Sequence, residues 1–190
     1  MAVFSFTLDS FQITDTRSLH NDTDYVTYTL LVKAQDGSGT PRMLTKSMGD
    51  VNNGVHAVNL SFSNIQVNPT DTVVLNYLIV NSGHKNPSQV VSALESSATK
   101  LATQGGALLG NAIVPGIGGS ILGAAAGWLA GELLGILTAN CDGPVAAEQD
   151  TLKYSDLIAD TAHGQFKHST KHPGVDSARG CGSNSVYIVN

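Results

Sequence analysis

Apolar and polar residues alternate along much of the first eighty or so residues, a pattern that predicts β-strands. Phe4, Phe6 and Leu8 alternate with polar neighbours, which is the period of a half-buried strand. Runs rich in apolar, β-branched or aromatic residues recur at 25–32, 42–47, 55–62 and 72–80. The glycine- and asparagine-containing segments 36–39 and 53–54 mark turns between them. Short strands with this spacing predict a mainly β chain, organised as an antiparallel β-sandwich.

The pattern changes at residue 86, where Asn86 and Pro87 form a typical helix start. Helices are predicted over about 87–112 and 119–138, separated by a Pro-Gly-Ile-Gly break at 115–118. The β pattern resumes after Pro144, with candidate strands at 151–158, 163–169 and 186–189. We therefore expect one domain over 1–190, α+β overall. Residues 1–85 and 144–190 form the sandwich, and residues 86–142 form an inserted apolar helical hairpin.

Small residues recur every four positions in both predicted helices. The second helix carries Gly119, Gly123, Gly127, Gly131 and Gly135, and the first carries Ala98, Ala102, Gly106 and Gly110. Five interior glycines cost about 5 kcal/mol of helix propensity, which another interaction must offset. Small residues at this spacing let two helix backbones approach closely, so the pattern predicts a glycine zipper.

The faces opposite the zipper bear on whether the hairpin lies in water or lipid. Between Leu101 and Asn140 the only charged residue is Glu132. A twenty-residue helix spans about 30 Å, the thickness of a bilayer's hydrocarbon core. These features favour membrane insertion over a permanently packed soluble hairpin. In an oligomer Glu132 is a candidate pore-lining residue, or else it faces solvent. Candidate hinges are Pro115, Gly116, Gly118, Gly143 and Pro144.

Charge and composition exclude several classes of function. The formal net charge of −5 argues against nucleic-acid binding, which requires a basic face. Two cysteines, Cys141 and Cys181, are too few for a disulfide framework, although one bridge between them is open. No nucleophile, zinc-protease or phosphate-loop motif is present, so we expect no enzyme and no cofactor. The N-terminal segment has no basic region followed by an apolar run, and we expect no secretory signal.

Two groups of polar residues are weak metal candidates. Asp22 and Asp24, with Asp15 nearby, are expected in a loop between the first two strands. Oxygen-rich loops of this kind can bind calcium, but aspartates also form ordinary turns. His168 and His172 would share one face of a strand, with His163 on the other. A solvated polar strand is the simpler interpretation of the histidines.

The small, mildly acidic chain with its glycine zipper resembles the small pore-forming effectors of bacterial type VI secretion. The glycines of the second helix, with Gly106 and Gly110, carry the resemblance, which covers about fifty residues. It implies a toxin that inserts into the target-cell inner membrane, self-assembles there and dissipates ion gradients. It also implies a secretion-tube carrier protein and a cognate immunity protein. The toxin would be soluble in the producing cytoplasm and reach the target periplasm without a signal peptide.

Two other functions stay open at this level. One is a soluble β-sandwich binding or assembly module whose helical hairpin mediates oligomerisation. The other is a calcium-dependent lipid- or glycan-binding domain that uses the loop of Asp22 and Asp24. Dye release from liposomes distinguishes the pore former from these two alternatives. Adding a calcium chelator distinguishes the calcium-dependent domain from the assembly module.

Overall fold

The computed structural model describes residues 1–17, 21–83, 86–103, 142–162, 164–173 and 185–190. The strands in these ranges are β1 (Ala2–Asp15), β2 (Asp22–Lys33), β3 (Pro41–Val51), β4 (Gly54–Val67), β5 (Thr72–Asn81), β6 (Gly143–Lys153), β7 (Thr170–His172) and β8 (Val186–Val189). The helices in these ranges are α1 (Pro87–Thr103) and α2 (Tyr154–Asp160). The prediction of a mainly β chain is confirmed.

The strands form two four-stranded antiparallel sheets, with orders β4-β1-β8-β7 and β3-β2-β5-β6. Both sheets contribute to one hydrophobic cluster, which includes Phe11 and Phe62 from the first sheet and Tyr28 and Ile79 from the second. The rings of Tyr28 and Phe62 lie 5.2 Å apart and join the two sheets directly. Phe6 and Leu8 are buried in this cluster, as their alternation predicted.

Two asparagines shape the long β1–β4 pair. Asn59 and Asn64 have φ angles of 55° and 58°, and each lies where the β1–β4 register shifts. Asparagine tolerates this left-handed conformation better than most residues with a side chain. The bulges let β4 keep its apolar side on the shared cluster, because Val58, Phe62 and Ile65 are all buried there.

Helix α1 packs on the second sheet through a separate small cluster. Val90 and Leu94, one helical turn apart, are each 1% exposed and contact a patch that includes Tyr25 and Val80. The side chain of Asn86 accepts a hydrogen bond from the backbone N–H of Ser88 at 3.1 Å, which confirms the predicted helix start. The rest of the predicted first helix, from residue 104, and the whole second helix lie outside the described residues.

Two predicted strands near the C-terminus were wrong. The predicted strand at 151–158 is the end of β6 followed by α2. A carboxylate oxygen of Asp156 accepts a hydrogen bond from the backbone N–H of Lys153 at 3.0 Å and starts the helix there. Of the second, predicted over 163–169, residues 164–169 are not strand, and β7 begins only at Thr170. Only the last predicted strand, Val186–Val189, has the expected bounds.

Candidate functional site at the stem of the inserted segment

The inserted segment leaves and rejoins the second sheet at one point. Strands β5 and β6 pair antiparallel along their whole length, and the last pair is Asn81 with Gly143. Residues 82–142 are therefore an excursion whose two ends lie side by side. We call the residues that hold these ends together the stem: Arg17, Asp22, Asp24, Asn81, Asp142, Gly143, Pro144 and Tyr187.

Gly143 and Pro144 form the return side of the stem and lie close to Arg17. One guanidinium nitrogen of Arg17, Nη2, donates a hydrogen bond to the Pro144 carbonyl oxygen at 2.7 Å. Gly143 has a φ of +149°, and a Cβ at this position would lie 3.1 Å from Nη1 of Arg17. The backbone conformation favours glycine here, and a Cβ would also require the Arg17 guanidinium to move by a few tenths of an ångström. Arg17 itself is only 6% exposed, so the guanidinium is a buried charge.

Direct hydrogen bonds connect the outgoing chain to the return side and to β2. The backbone N–H of Gly83 donates to Oδ1 of Asp142 at 3.2 Å, which links the two ends of the excursion. The backbone N–H of Ser82 donates to the carbonyl oxygen of Thr23 at 2.8 Å. The Asn81 side chain accepts from the N–H of Thr23 at 3.1 Å. The excursion is therefore held at its base by the β-sheet framework.

Asp22 is the acceptor at the centre of the stem. Its Oδ2 accepts hydrogen bonds from the backbone N–H of Arg17 at 2.8 Å and from the Tyr187 hydroxyl at 2.7 Å. Its Oδ1 accepts from Nδ2 of Asn81 at 2.9 Å. The carboxylate is completely buried, and these three donors replace the water that it loses on folding. Asp22 thus joins β2, β5, β8 and the segment after β1.

Asp24 shares the hydroxyl of Tyr187 with Asp22. The Tyr187 oxygen lies 2.8 Å from Oδ2 of Asp24, but a hydroxyl has a single hydrogen to donate. When that hydrogen points to Asp22, a proton on Asp24 completes the bridge by pointing to the Tyr187 oxygen. Burial and the neighbouring Asp22 carboxylate raise the pKa of Asp24 well above its usual value, against smaller opposing effects of Tyr187 and Arg17. Its other oxygen, Oδ1, has no hydrogen-bond partner among the described residues.

The structure corrects the placement of the weak calcium candidates. Asp22 and Asp24 were expected in a loop, but both lie in β2 with no exposed surface. Three of their four carboxylate oxygens already make hydrogen bonds to protein groups. Asp15 lies at the exposed end of β1. The segment that was expected to be a loop at Asp22 and Asp24 is therefore a strand.

The predicted zipper and hinge residues are placed only in part. Ala98 and Ala102 lie in α1, and Gly143 and Pro144 lie at the start of β6, where the β5–β6 register shifts. Their roles in a zipper and as a hinge stay predictions. Outside the described residues lie Gly106, Gly110, Pro115, Gly116, Gly118, Gly119, Gly123, Gly127, Gly131, Glu132 and Gly135, together with Cys141, His163 and Cys181.

Sequence reasoning missed Arg17 and Tyr187, which contact the two aspartates. The signal was partly there, because Asp22 and Asp24 are alternate residues and so share one face of a strand. Tyr187 lies 165 residues from Asp22 along the chain, and no local pattern indicates such a pairing. Arg17 stood in a segment that the pattern assigned to an ordinary loop.

A second polar group lies at the edge of the framework. It consists of Tyr77, Glu148, Asp150, His168 and His172. His172 lies in β7 and is buried, whereas His168 precedes that strand. The two histidines therefore do not share a strand face as predicted. His168 approaches Glu148 directly, and His172 is linked to Glu148 through Tyr77.

Comparisons with protein-family models, with curated proteins and with solved structures give no match to this chain. Neither helix in the described ranges is both long and apolar enough to cross a membrane.

Proposed function

We propose that this protein is a membrane-inserting, pore-forming antibacterial toxin that dissipates ion gradients in a target cell. The observation that carries the proposal is the stem, at which an apolar segment leaves and rejoins a β framework between two paired strands. A segment attached in this way can change its surroundings while the β5–β6 pairing stays intact. We also infer that the two sheets pack as a β-sandwich, because their buried residues form one cluster.

The contact between α1 and the sheet is small enough to be exchanged for a membrane. Among the side chains of α1 that the structure describes, in residues 87–96, Val90 and Leu94 are fully buried, and burying each contributes about 1.5–3 kcal/mol. A bilayer offers comparable burial to the apolar residues of the inserted segment. Detaching these two side chains therefore costs a few kcal/mol and does not require the whole β framework to unfold.

Insertion of one helix alone would be nearly neutral in free energy. The predicted second helix has seven leucines and isoleucines, each worth about −0.3 to −0.6 kcal/mol at the centre of a bilayer. A charged side chain such as Glu132 costs about 2.5–3.5 kcal/mol there. Association between hairpins must therefore supply most of the driving force. The glycine stripe is the feature of the sequence that suits such association.

Dye release from liposomes tests the proposal, with the double variants Gly123→Ile/Gly127→Ile and Gly123→Ala/Gly127→Ala compared with the unsubstituted protein. Isoleucine blocks close approach of helix backbones, whereas alanine keeps the stripe small. We expect the unsubstituted protein and the alanine variant to release dye. The rate of dye release by the isoleucine variant should be at least ~10-fold lower than that of the unsubstituted protein. Circular dichroism and thermal unfolding establish that all three proteins keep the β framework.

Two results would count against a pore former. One is an absence of release by the unsubstituted protein at several lipid compositions. The other is equal release by the isoleucine and alanine variants, which would show leakage that does not depend on the zipper. Conductance steps across a planar bilayer would separate a defined pore from general disruption of the membrane.

The partners of the proposed toxin follow from its route. It would be soluble in the producing cytoplasm, be carried by a secretion-tube protein and be released into the periplasm of the target cell. It would then self-assemble in the target-cell inner membrane. The producing cell would carry a cognate immunity protein. Protection of a sensitive strain by one gene adjacent to the toxin gene tests this last expectation.

A soluble assembly module is the second candidate function. The observation in its favour is the packing of α1 on the sheet through Val90 and Leu94, which places the start of the insertion against protein rather than lipid. This candidate predicts a stable oligomer in solution and no dye release. Light scattering coupled to size exclusion distinguishes the two. The burial of Asp22 and Asp24 in the stem disfavours the calcium-dependent alternative.

A further inference from the structure

Two carboxylates project from β6 towards the space between the sheets. Glu148 and Asp150 are alternate residues of this strand and pair with Tyr77 and Leu75 of β5. Tyr77 and Leu75 both pack against the shared hydrophobic cluster, so the carboxylates lie on the inward side of an edge strand. Neither is fully exposed. Two negative charges in partly desolvated positions cost free energy unless a cation is close.

A histidine from a different part of the chain completes a mixed set of ligand atoms. One ligand atom from each of Glu148, Asp150 and His168 lies within 4.8 Å of the others. Nε2 of His168 is 3.7 Å from Oε1 of Glu148. The set therefore combines two carboxylates of the β3-β2-β5-β6 sheet with an imidazole from the segment that leads into β7. Such oxygen and nitrogen donors suit first-row divalent metals.

The Glu148 side chain is held so that one oxygen stays available. Its Oε2 accepts a hydrogen bond from the Tyr77 hydroxyl at 2.7 Å. The same hydroxyl contacts Nε2 of His172, and because it has one hydrogen, that nitrogen is the donor to Tyr77. Burial lowers the pKa of His172, against a smaller opposing effect of Glu148, and favours its neutral form. The chain His172–Tyr77–Glu148 thus orients Glu148 and leaves Oε1 on the side of His168, as outer-shell hydrogen bonds do in metal sites.

We infer that Glu148, Asp150 and His168 bind one divalent transition-metal ion, such as Zn²⁺ or Mn²⁺, which joins the edges of the two sheets. The donor atoms need to approach one another by about 1–1.5 Å to reach normal coordination distances. The side chain of His168 is 54% exposed and has room to do so. The hydrogen bond between the Thr170 hydroxyl and Nε2 of His168, 2.8 Å long, keeps the ring near Glu148 until the metal replaces it. The site does not depend on the proposed toxin function.

The site is tested with metal-stripped full-length protein, titrated calorimetrically with ZnCl₂ and with MnCl₂. We expect one ion per chain and a rise in Tm of several degrees at saturation. His168→Gln and Asp150→Asn should each weaken binding at least ~10-fold. Asp160→Asn, which removes an exposed carboxylate at the end of α2, is the matched control and should bind as the unsubstituted protein does.

Asp150→Asn provides a second readout that is independent of a folding defect. Asp150 is partly buried beside Glu148 on the same side of β6, so its charge is partly desolvated and lies close to a second negative charge. Removing this charge should therefore raise the Tm of the metal-free protein while abolishing the additional rise that metal produces.

Mn²⁺ should also broaden the NMR signals of the His168 ring, which are assigned by their loss in His168→Gln. Equal metal affinity in both ligand variants and the control, or unbroadened His168 signals at a bound stoichiometry of one, would overturn the site.

Discussion

Replacing Arg17 with methionine is expected to lower the free energy of unfolding by about 3–5 kcal/mol, the usual cost of removing one partner from a buried set of charges. Methionine keeps much of the aliphatic length of arginine but removes the positive charge beside Asp24. It also removes the donor to the Pro144 carbonyl oxygen. Because Asp22 and Asp24 stay buried, no water replaces the lost interactions. Urea unfolding followed by circular dichroism measures the change.

Arg42→Met is the control for the loss of an arginine. Arg42 lies in β3 and is exposed, so its replacement should change the free energy of unfolding by less than about 0.5 kcal/mol. A loss of less than 1 kcal/mol in Arg17→Met would contradict the stem as described. In the proposed toxin a weakened stem should also increase the rate of dye release relative to Arg42→Met, because the base of the excursion would open more easily.

Replacing Asp24 with asparagine should stabilise the protein increasingly as the pH rises. The pKa of Asp24 is raised in the folded state, above an unfolded value of about 3.9. Below that value Asp24 is protonated in both the folded and the unfolded state, and its contribution to the free energy of unfolding is fully present. As the pH rises from there to the folded pKa, only the folded chain holds the proton, and stability is lost by about 1.4 kcal/mol per pH unit. Asparagine has no such titration and keeps a donor for the Tyr187 oxygen.

The measurement is the free energy of unfolding of both proteins between about pH 4 and 8. The difference between Asp24→Asn and the unsubstituted protein should be smallest at the acid end and grow with pH. Asp9→Asn, at an exposed position of β1, is the control and should leave the pH dependence of the free energy of unfolding unchanged. Parallel curves for Asp24→Asn and the unsubstituted protein would show that the Tyr187 bridge does not hold a proton on Asp24.

The sign of this effect bears on how the proposed toxin is triggered. In the part of the chain that the structure describes, the charged and titratable groups that act on Asp24 are Asp22, Arg17 and Tyr187. Acidification keeps the proton on Asp24 and therefore strengthens this part of the stem. An acid trigger for insertion would have to act elsewhere in the molecule.

The strands and turns of the first eighty or so residues followed from the sequence because their signals are local. The alternation of apolar and polar residues predicted that Phe6 and Leu8 face the core, and both are buried. The Asp36 side chain accepts hydrogen bonds from both the N–H and the hydroxyl of Ser38, as its turn sequence indicated. The prediction for 151–158 failed because its apolar residues fit a strand as well as a short helix. The hydrogen bond from Lys153 to Asp156, together with the edge-on contact of Tyr154 with Phe4, favours the helix.

The sequence by itself determined the β character, the change of pattern at Asn86 and the glycine repeat, since each depends on neighbours a few residues apart. Tertiary structure alone decided that Asp22 and Asp24 belong to a buried stem rather than a calcium loop. It also decided that Glu148 and Asp150 meet His168. The physical reason is shared: the free energy of a buried carboxylate depends on which donors and charges surround it. Arg17 is near Asp22 in the sequence, but only the pairing of distant strands brings Tyr187 to Asp22 and Tyr77 to Glu148.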